Sequence, residues 1–130
     1  MGKSYLIDTN VFTKYIQGEL SEKGDELLDN IFNTFSCKIS VITRIELLSW
    51  NTNPTTLSLI EEFINISEEF GLTEDVIGKT SEIRRNLKVR LPDAVIAATA
   101  FVNDLILISD NDSDFGKIPS LRYINPTKLK

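Results

Sequence analysis

The chain has 130 residues, the length of one domain whose core needs no staples. Its composition, 42% hydrophobic and 25% charged with a net charge of −5, is that of an ordinary globular protein, and it lacks histidine altogether. That absence excludes serine–histidine triads, cysteine–histidine pairs and histidine-based ribonucleases; with Cys37 as the single cysteine, it also excludes a structural zinc site and an intrachain disulfide.

Met1-Gly2-Lys3-Ser4 leads directly into Tyr5-Leu6-Ile7, a short apolar run that reads as a buried strand ending at Asp8. This start is too short for a secretion leader, and no apolar run reaches the roughly 18 residues that span a bilayer. A lone thiol suits a reducing compartment, so the expected location is the cytoplasm, away from any membrane. A helix follows Asp8, with Val11, Phe12, Tyr15 and Ile16 on one face, and stops near Gly18. A second helix covers 22–34 with Leu27, Leu28, Ile31 and Phe35 turned inward. Cys37–Ile39 reads as the second strand, and Ser40 caps a helix running through Trp50.

Asn51-Thr52-Asn53-Pro54 is a turn, and the next helix carries Leu57, Ile60, Phe63 and Ile64 at helical spacing. Phe70–Leu72 is the third strand. Thr73 caps a helix that starts with Glu74 and Asp75 and aligns Val76, Thr80, Ile83 and Leu87. Leu91–Val102 is apolar all round apart from Asp93 and Thr99, which marks a buried helix, and Pro92 suits its first turn. Leu105–Ile108 is a buried strand and Leu121–Ile124 a weaker last one. Strands alternating with helices predict a single α/β domain over 1–130, with a parallel sheet covered on both faces and its site beyond the carboxyl ends of the strands.

Four carboxylates sit at element ends: Asp8, Glu46, Asp93 and Asp114. Carboxylates alone suit a hard cation such as Mg2+ or Mn2+, which activates water against a phosphodiester. Each acid also has an ordinary reading. Asp8 caps the helix after it, and Asp93 faces a helix dipole, although a carboxylate beside so apolar a segment calls for a partner. Glu46 lies one turn from Ile42 and from Trp50 and is otherwise an ordinary surface glutamate. The run Ser109-Asp110-Asn111-Asp112-Ser113-Asp114-Phe115 is either a solvated turn or a cation loop, without calcium-loop spacing. Arg84, Arg85, Lys88 and Arg90 either meet backbone phosphates or stabilise a helix end. The acidic net charge stands against a nucleic-acid partner, an objection that a cation bound by the four acids would reduce.

Leu6-Ile7-Asp8-Thr9-Asn10, Thr43-Arg44-Ile45-Glu46-Leu47-Leu48, Leu91-Pro92-Asp93-Ala94-Val95-Ile96-Ala97-Ala98-Thr99-Ala100 and Ile108 through Phe115 together resemble the four signature segments of PIN-domain ribonucleases, and most nearly the VapC toxins of bacterial toxin–antitoxin pairs. The resemblance runs from about residue 4 to 125. It implies a three-layer α/β/α sandwich, Mg2+ or Mn2+ at an acidic quartet, endonucleolytic cleavage of RNA, a homodimer and a cognate antitoxin. Carried over by position, Asp8 and Asp93 are the main ligands, Glu46 completes the site, and Asp114 is the fourth acid, a role for which Asn111 and Asp112 compete. Asn10, Thr43 and Ser109 stand as supporting residues. The alternative is a catalytically silent domain of the same fold that binds RNA or protein. A haloacid-dehalogenase-like phosphatase would need an aspartate where Asn10 stands, and the residues of a receiver domain are not evident.

Overall fold

The computed structural model describes residues 4–130. Met1, Gly2 and Lys3, on which part of the leader reading falls, lie outside the described residues. In chain order the elements are β1 (Tyr5–Ile7), α1 (Thr9–Ile16), α2 (Glu22–Asn33), β2 (Cys37–Ser40), α3 (Val41–Leu48), α4 (Pro54–Ile66), β3 (Glu68–Phe70), α5 (Glu74–Asn86), α6 (Leu91–Val102), β4 (Ile106–Ile108), α7 (Asp112–Phe115) and β5 (Tyr123–Ile124). Polar caps set most helix starts. Ser21, Ser40, Asn53, Thr73 and Asn111 each accept a backbone N–H from the first turn that follows.

The five strands form one sheet in the order β3-β2-β1-β4-β5, every pair parallel. Strands this short alternate cleanly between the two faces. Leu6 and Leu107 enter a core with α5, α6 and Phe115, while Ile7 and Ile108 enter another with α1, α2, α3 and α4. The result is the expected three-layer α/β/α sandwich. From β1 the chain moves outward through β2 and β3, then returns to β4 on the other side of β1. The crevice between the ends of β1 and β4 is therefore the point where the strand order reverses, where open parallel sheets form their sites. Among the described residues no helix is long and apolar enough to cross a membrane.

Two expectations are corrected. Phe35 does not turn inward: it is 79% exposed. Helix α2 stops at Asn33, and Phe35 adopts φ 53° in a left-handed cap closed by Ser36 N–H to the Ile31 carbonyl at 3.0 Å. That geometry turns its side chain out of the helical stripe. The third strand lies at Glu68–Phe70 rather than Phe70–Leu72, and Leu72 is exposed. It is an edge strand whose two glutamates pair with Lys38 and Arg44, so no apolar run announces it. Smaller differences follow from packing. Leu57, in the first turn of α4, stays exposed while Ile60 and Phe63 are buried, and α3 ends at Leu48, short of Trp50. At the far end of the chain, Pro126 crosses α2 so closely that a Cβ on Gly24 would lie 1.9 Å from its carbonyl oxygen, which also accepts from Ser21 N–H at 3.1 Å.

Candidate functional site

Asp8 leaves the sheet at the reversal point. Its N–H donates to the Ile108 carbonyl at 3.0 Å, tying it to β4. Its carboxylate accepts from Thr9 N–H at 2.8 Å and from the Ser109 hydroxyl, at the end of β4, at 2.8 Å. Asp8 thus caps α1 and at the same time lies in the crevice. It is buried, and no cationic side chain pairs with it among the described residues. Burial pushes its carboxyl up to about 7; the Ser109 and Thr9 hydrogen bonds oppose the rise, and the charges of Asp93 and Glu46 add to it.

Asp93 stands in the first turn of α6, where the cap residue Arg90 supplies no side-chain cap bond. Instead, the Arg90 guanidinium donates to the Asp93 carboxylate at 3.2 and 3.3 Å, and the Asn111 amide approaches the same oxygen at 3.5 Å. Asp114, from α7, accepts from the same Asn111 amide at 3.1 Å and lies 3.6 Å from the Lys117 ammonium. Burial raises the Asp93 carboxyl, and Arg90 partly offsets the rise. The charge of Asp114 nearby helps to raise it. Desolvation works against the ionised form of Asp114, yet the Asn111 hydrogen bond and the charge of Lys117 keep its carboxyl low.

Glu46 is exposed on α3, and Thr9 draws it into the cluster. The Thr9 hydroxyl donates to Glu46 at 2.5 Å and lies 3.3 Å from the buried Thr43 hydroxyl. The four acids are thus connected: Asp8 to Ser109, whose hydroxyl accepts Asn111 N–H at 3.0 Å, Asn111 to Asp93 and Asp114, and Thr9 to both Asp8 and Glu46.

The structure separates the three candidates in the run after β4. Asn111 caps α7 and bridges two acids. Asp112 faces the other way and accepts from the Tyr123 hydroxyl at 2.9 Å, the Asn125 amide at 3.1 Å and the Lys128 ammonium at 2.6 Å, contacts that hold its carboxyl below the usual range. It fastens the C-terminal segment. Asp110 pairs with Lys14. Asn10 borders the cluster through the cavity beside Glu46, and its side chain makes no hydrogen bond among the described residues.

Arg84, Lys88 and Arg90 line a cavity of about 420 Å³ that reaches Asp114, and Arg85 does not line it. Arg84 is partly committed, donating to the Val89 carbonyl at 3.0 Å. Sequence reasoning missed Lys117, although its place three residues after Asp114 is a helical pairing distance. It also missed Gln17, and saw Trp50 only as a helix neighbour of Glu46; both line the cavity beside Glu46, and no local pattern marks them.

The donor set is all oxygen, with one buried carboxylate lacking a counterion, which fits a hard divalent cation. Among the described residues no three acids are gathered closely enough to form a finished ligand group. The acids instead stand as the Asp93–Asp114 pair with Asp8 and Glu46 beside it.

The PIN domain family model matches residues 5–121. No curated protein matches the chain. Among solved structures, the chain is similar to a DNA-bound VapBC complex from Salmonella typhimurium, at 24% identity and TM-score 0.75, covering 95% of this chain and 98% of that one. A toxin–antitoxin complex from Klebsiella pneumoniae gives 23% identity and TM-score 0.74 over 97% of this chain and 100% of that one. FitAB bound to a DNA fragment gives 19% identity and TM-score 0.75, covering 97% of each chain. At these identities the likeness concerns the fold.

Proposed function

The chain belongs to the PIN domain family, and from that premise we propose that it is a metal-dependent endoribonuclease, the toxin of a toxin–antitoxin pair acting in the cytoplasm. The observation that carries this reading is the convergence of Asp8, Glu46, Asp93 and Asp114 from four separate elements on the reversal point of a parallel sheet, linked by Thr9, Ser109 and Asn111. Asp8 and Asp93 would hold Mg2+ or Mn2+, with Glu46 and Asp114 completing the set. When bound, the cation supplies an acidic water and neutralises phosphate charge. The protein's own residues supply the rest. Ser109 and Thr9 N–H fix the two oxygens of Asp8, Thr9 and Thr43 orient Glu46, and Asn111 sets the angle between Asp93 and Asp114. Arg84, Lys88 and Arg90 border the acids, where a phosphate backbone would be met without sequence reading.

The antitoxin expectation is supported by the solved structures of similar fold, which are toxin–antitoxin complexes. A homodimer remains the family expectation. A second reading, a silent domain of the same fold that binds RNA or protein, is favoured by one observation: Asp93 already has Arg90 as a partner. Cleavage decides between them. Purified protein should cut single-stranded RNA with Mg2+ or Mn2+, stop with chelator, and lose roughly 100-fold in rate as Asp93→Asn. Cutting at the wild-type rate by that variant would mean a contaminating nuclease. Binding of RNA without cutting under any divalent ion would favour the silent module.

A further inference from the structure

A second cavity, of about 340 Å³, reaches the acids at Glu46, whereas the basic one reaches them at Asp114. Asn10, Gln17, Leu47 and Trp50 form much of its wall, and Thr9 and Glu46 close the end it shares with the acid cluster. Its chemistry differs from that of the basic cavity. No lysine or arginine lines it, and Glu46 adds a negative charge, so it does not suit a phosphate or an acidic peptide. The Thr9 and Thr13 hydroxyls are already used, on Glu46 and on the Asn10 carbonyl. The Asn10 and Gln17 side-chain amides and the Trp50 indole N–H have no partner among the described residues. Two free amides, each both donor and acceptor, beside an aromatic ring and a leucine match a flat, neutral ligand with polar edges.

We propose that this cavity is a base subsite: it receives one unpaired nucleobase of the RNA beside the cut bond, stacked on Trp50 with its edge read by Asn10 and Gln17. The assignment rests on the ribonuclease reading for its substrate. The two cavities then divide the strand, backbone phosphates toward Arg84, Lys88 and Arg90 and one base toward Trp50, with the acids between them.

Trp50 is the only tryptophan, so fluorescence excited beyond the absorption of the three tyrosines reports on this cavity alone. A short, end-labelled single-stranded RNA is titrated in the presence of chelator, so that nothing is cut, and binding is followed both by anisotropy of the label and by Trp50 emission. Saturable quenching is expected with the base-bearing oligomer and none with an abasic one of equal length. Gln17→Ala should move the quenching midpoint roughly 3- to 10-fold, the worth of a hydrogen bond. Trp50→Leu, read by anisotropy, should weaken binding roughly 5- to 100-fold, the worth of a stacked base. Binding without quenching, quenching that Gln17→Ala leaves unmoved, or no binding at all would each overturn the subsite. Cleavage is assayed separately with Mn2+: quenching by a protein that cuts no RNA would refute the ribonuclease reading and leave the subsite standing.

Discussion

Asp8 and Asp93 are buried at the reversal point of the sheet, whereas Glu46 stands exposed on α3 and joins them through one threonine. The contrast separates two ways of building one acidic site. At the reversal point the backbone does the work: parallel pairing puts Asp8 beside Ser109, and the first turn of an apolar helix puts Asp93 where burial cannot be avoided. Such placement is rigid, and it destabilises the ionised forms. At the rim the side chains do the work: the Thr9 hydroxyl holds Glu46. Asp8 lies in the crevice without a counterion among the described residues, so its ionisation works against stability.

The largest effect should come from breaking the buried half. Asp8→Asn should reduce RNA cleavage roughly 100-fold or more. The same change should alter stability with a sign set by pH. The folded-state carboxyl titrates at about 7 against 3.8 as its ordinary value, so between those limits the folded state holds a proton that the unfolded chain has lost. Wild-type stability therefore falls as pH rises through that window. Asp8→Asn removes the penalty, and without metal it should gain roughly 1–3 kcal/mol over wild type at pH 8 by urea unfolding, with little difference near pH 4. Equal stabilities at pH 8 would mean that the crevice already compensates the charge.

The run after β4 contains the contrast within a single turn. Asp114 meets Asp93 through the Asn111 amide, while Asp112, two residues earlier, fastens Tyr123, Asn125 and Lys128. Asp114→Asn should cost cleavage roughly 10- to 100-fold with small change in melting temperature. Asp112→Asn should do the reverse, lowering the melting temperature while cleavage stays within about 2-fold, the spread of an ordinary surface change. Matching losses of activity in both variants would place Asp112 in the site after all.

These regions also differ in how far the sequence discloses them. The buried half was legible, because an apolar run that stops at Asp8 and an apolar helix interrupted by Asp93 are local patterns. The sandwich was legible for the same reason. The edge strand Glu68–Phe70 and the outward Phe35 were not, since one is held by ion pairs to distant lysine and arginine and the other by a left-handed cap that sequence usually marks with glycine. Among the acids, Asp112 and Asp114 could not be ranked, because what separates them is contact with Tyr123, Asn125 and Lys128, residues that come near only when β5 pairs with β4. Thr9 was visible as a neighbour of Asp8, but its reach to Glu46 crosses 37 positions.

That reach allows a direct test of the rim. Thr9→Val keeps the size and the backbone N–H to Asp8 and removes only the hydroxyl that holds Glu46. Cleavage should fall about 10-fold, the usual cost of losing an orienting partner, and Glu46→Gln should add little on top of it. Full additivity of the two changes in a double-mutant cycle would show that Glu46 acts without Thr9.

The smallest effect concerns Arg90, which belongs to both regions, with an exposed side chain whose guanidinium rests on the buried Asp93. A cation at Asp93 must compete with that contact. An ion pair with one partner in solvent is worth at most about 1 kcal/mol, so Arg90→Gln should tighten Mn2+ binding by only roughly 2- to 5-fold, measured by electron paramagnetic resonance of the free ion without RNA. RNA affinity should move the other way, because the guanidinium also lines the basic cavity beside Asp114 and would meet a phosphate there. The two measurements separate the roles: a counterion alone changes metal affinity and leaves RNA binding untouched, while a phosphate contact alone does the opposite. Opposed shifts in one variant are expected only if Arg90 exchanges Asp93 for the substrate when the cation arrives.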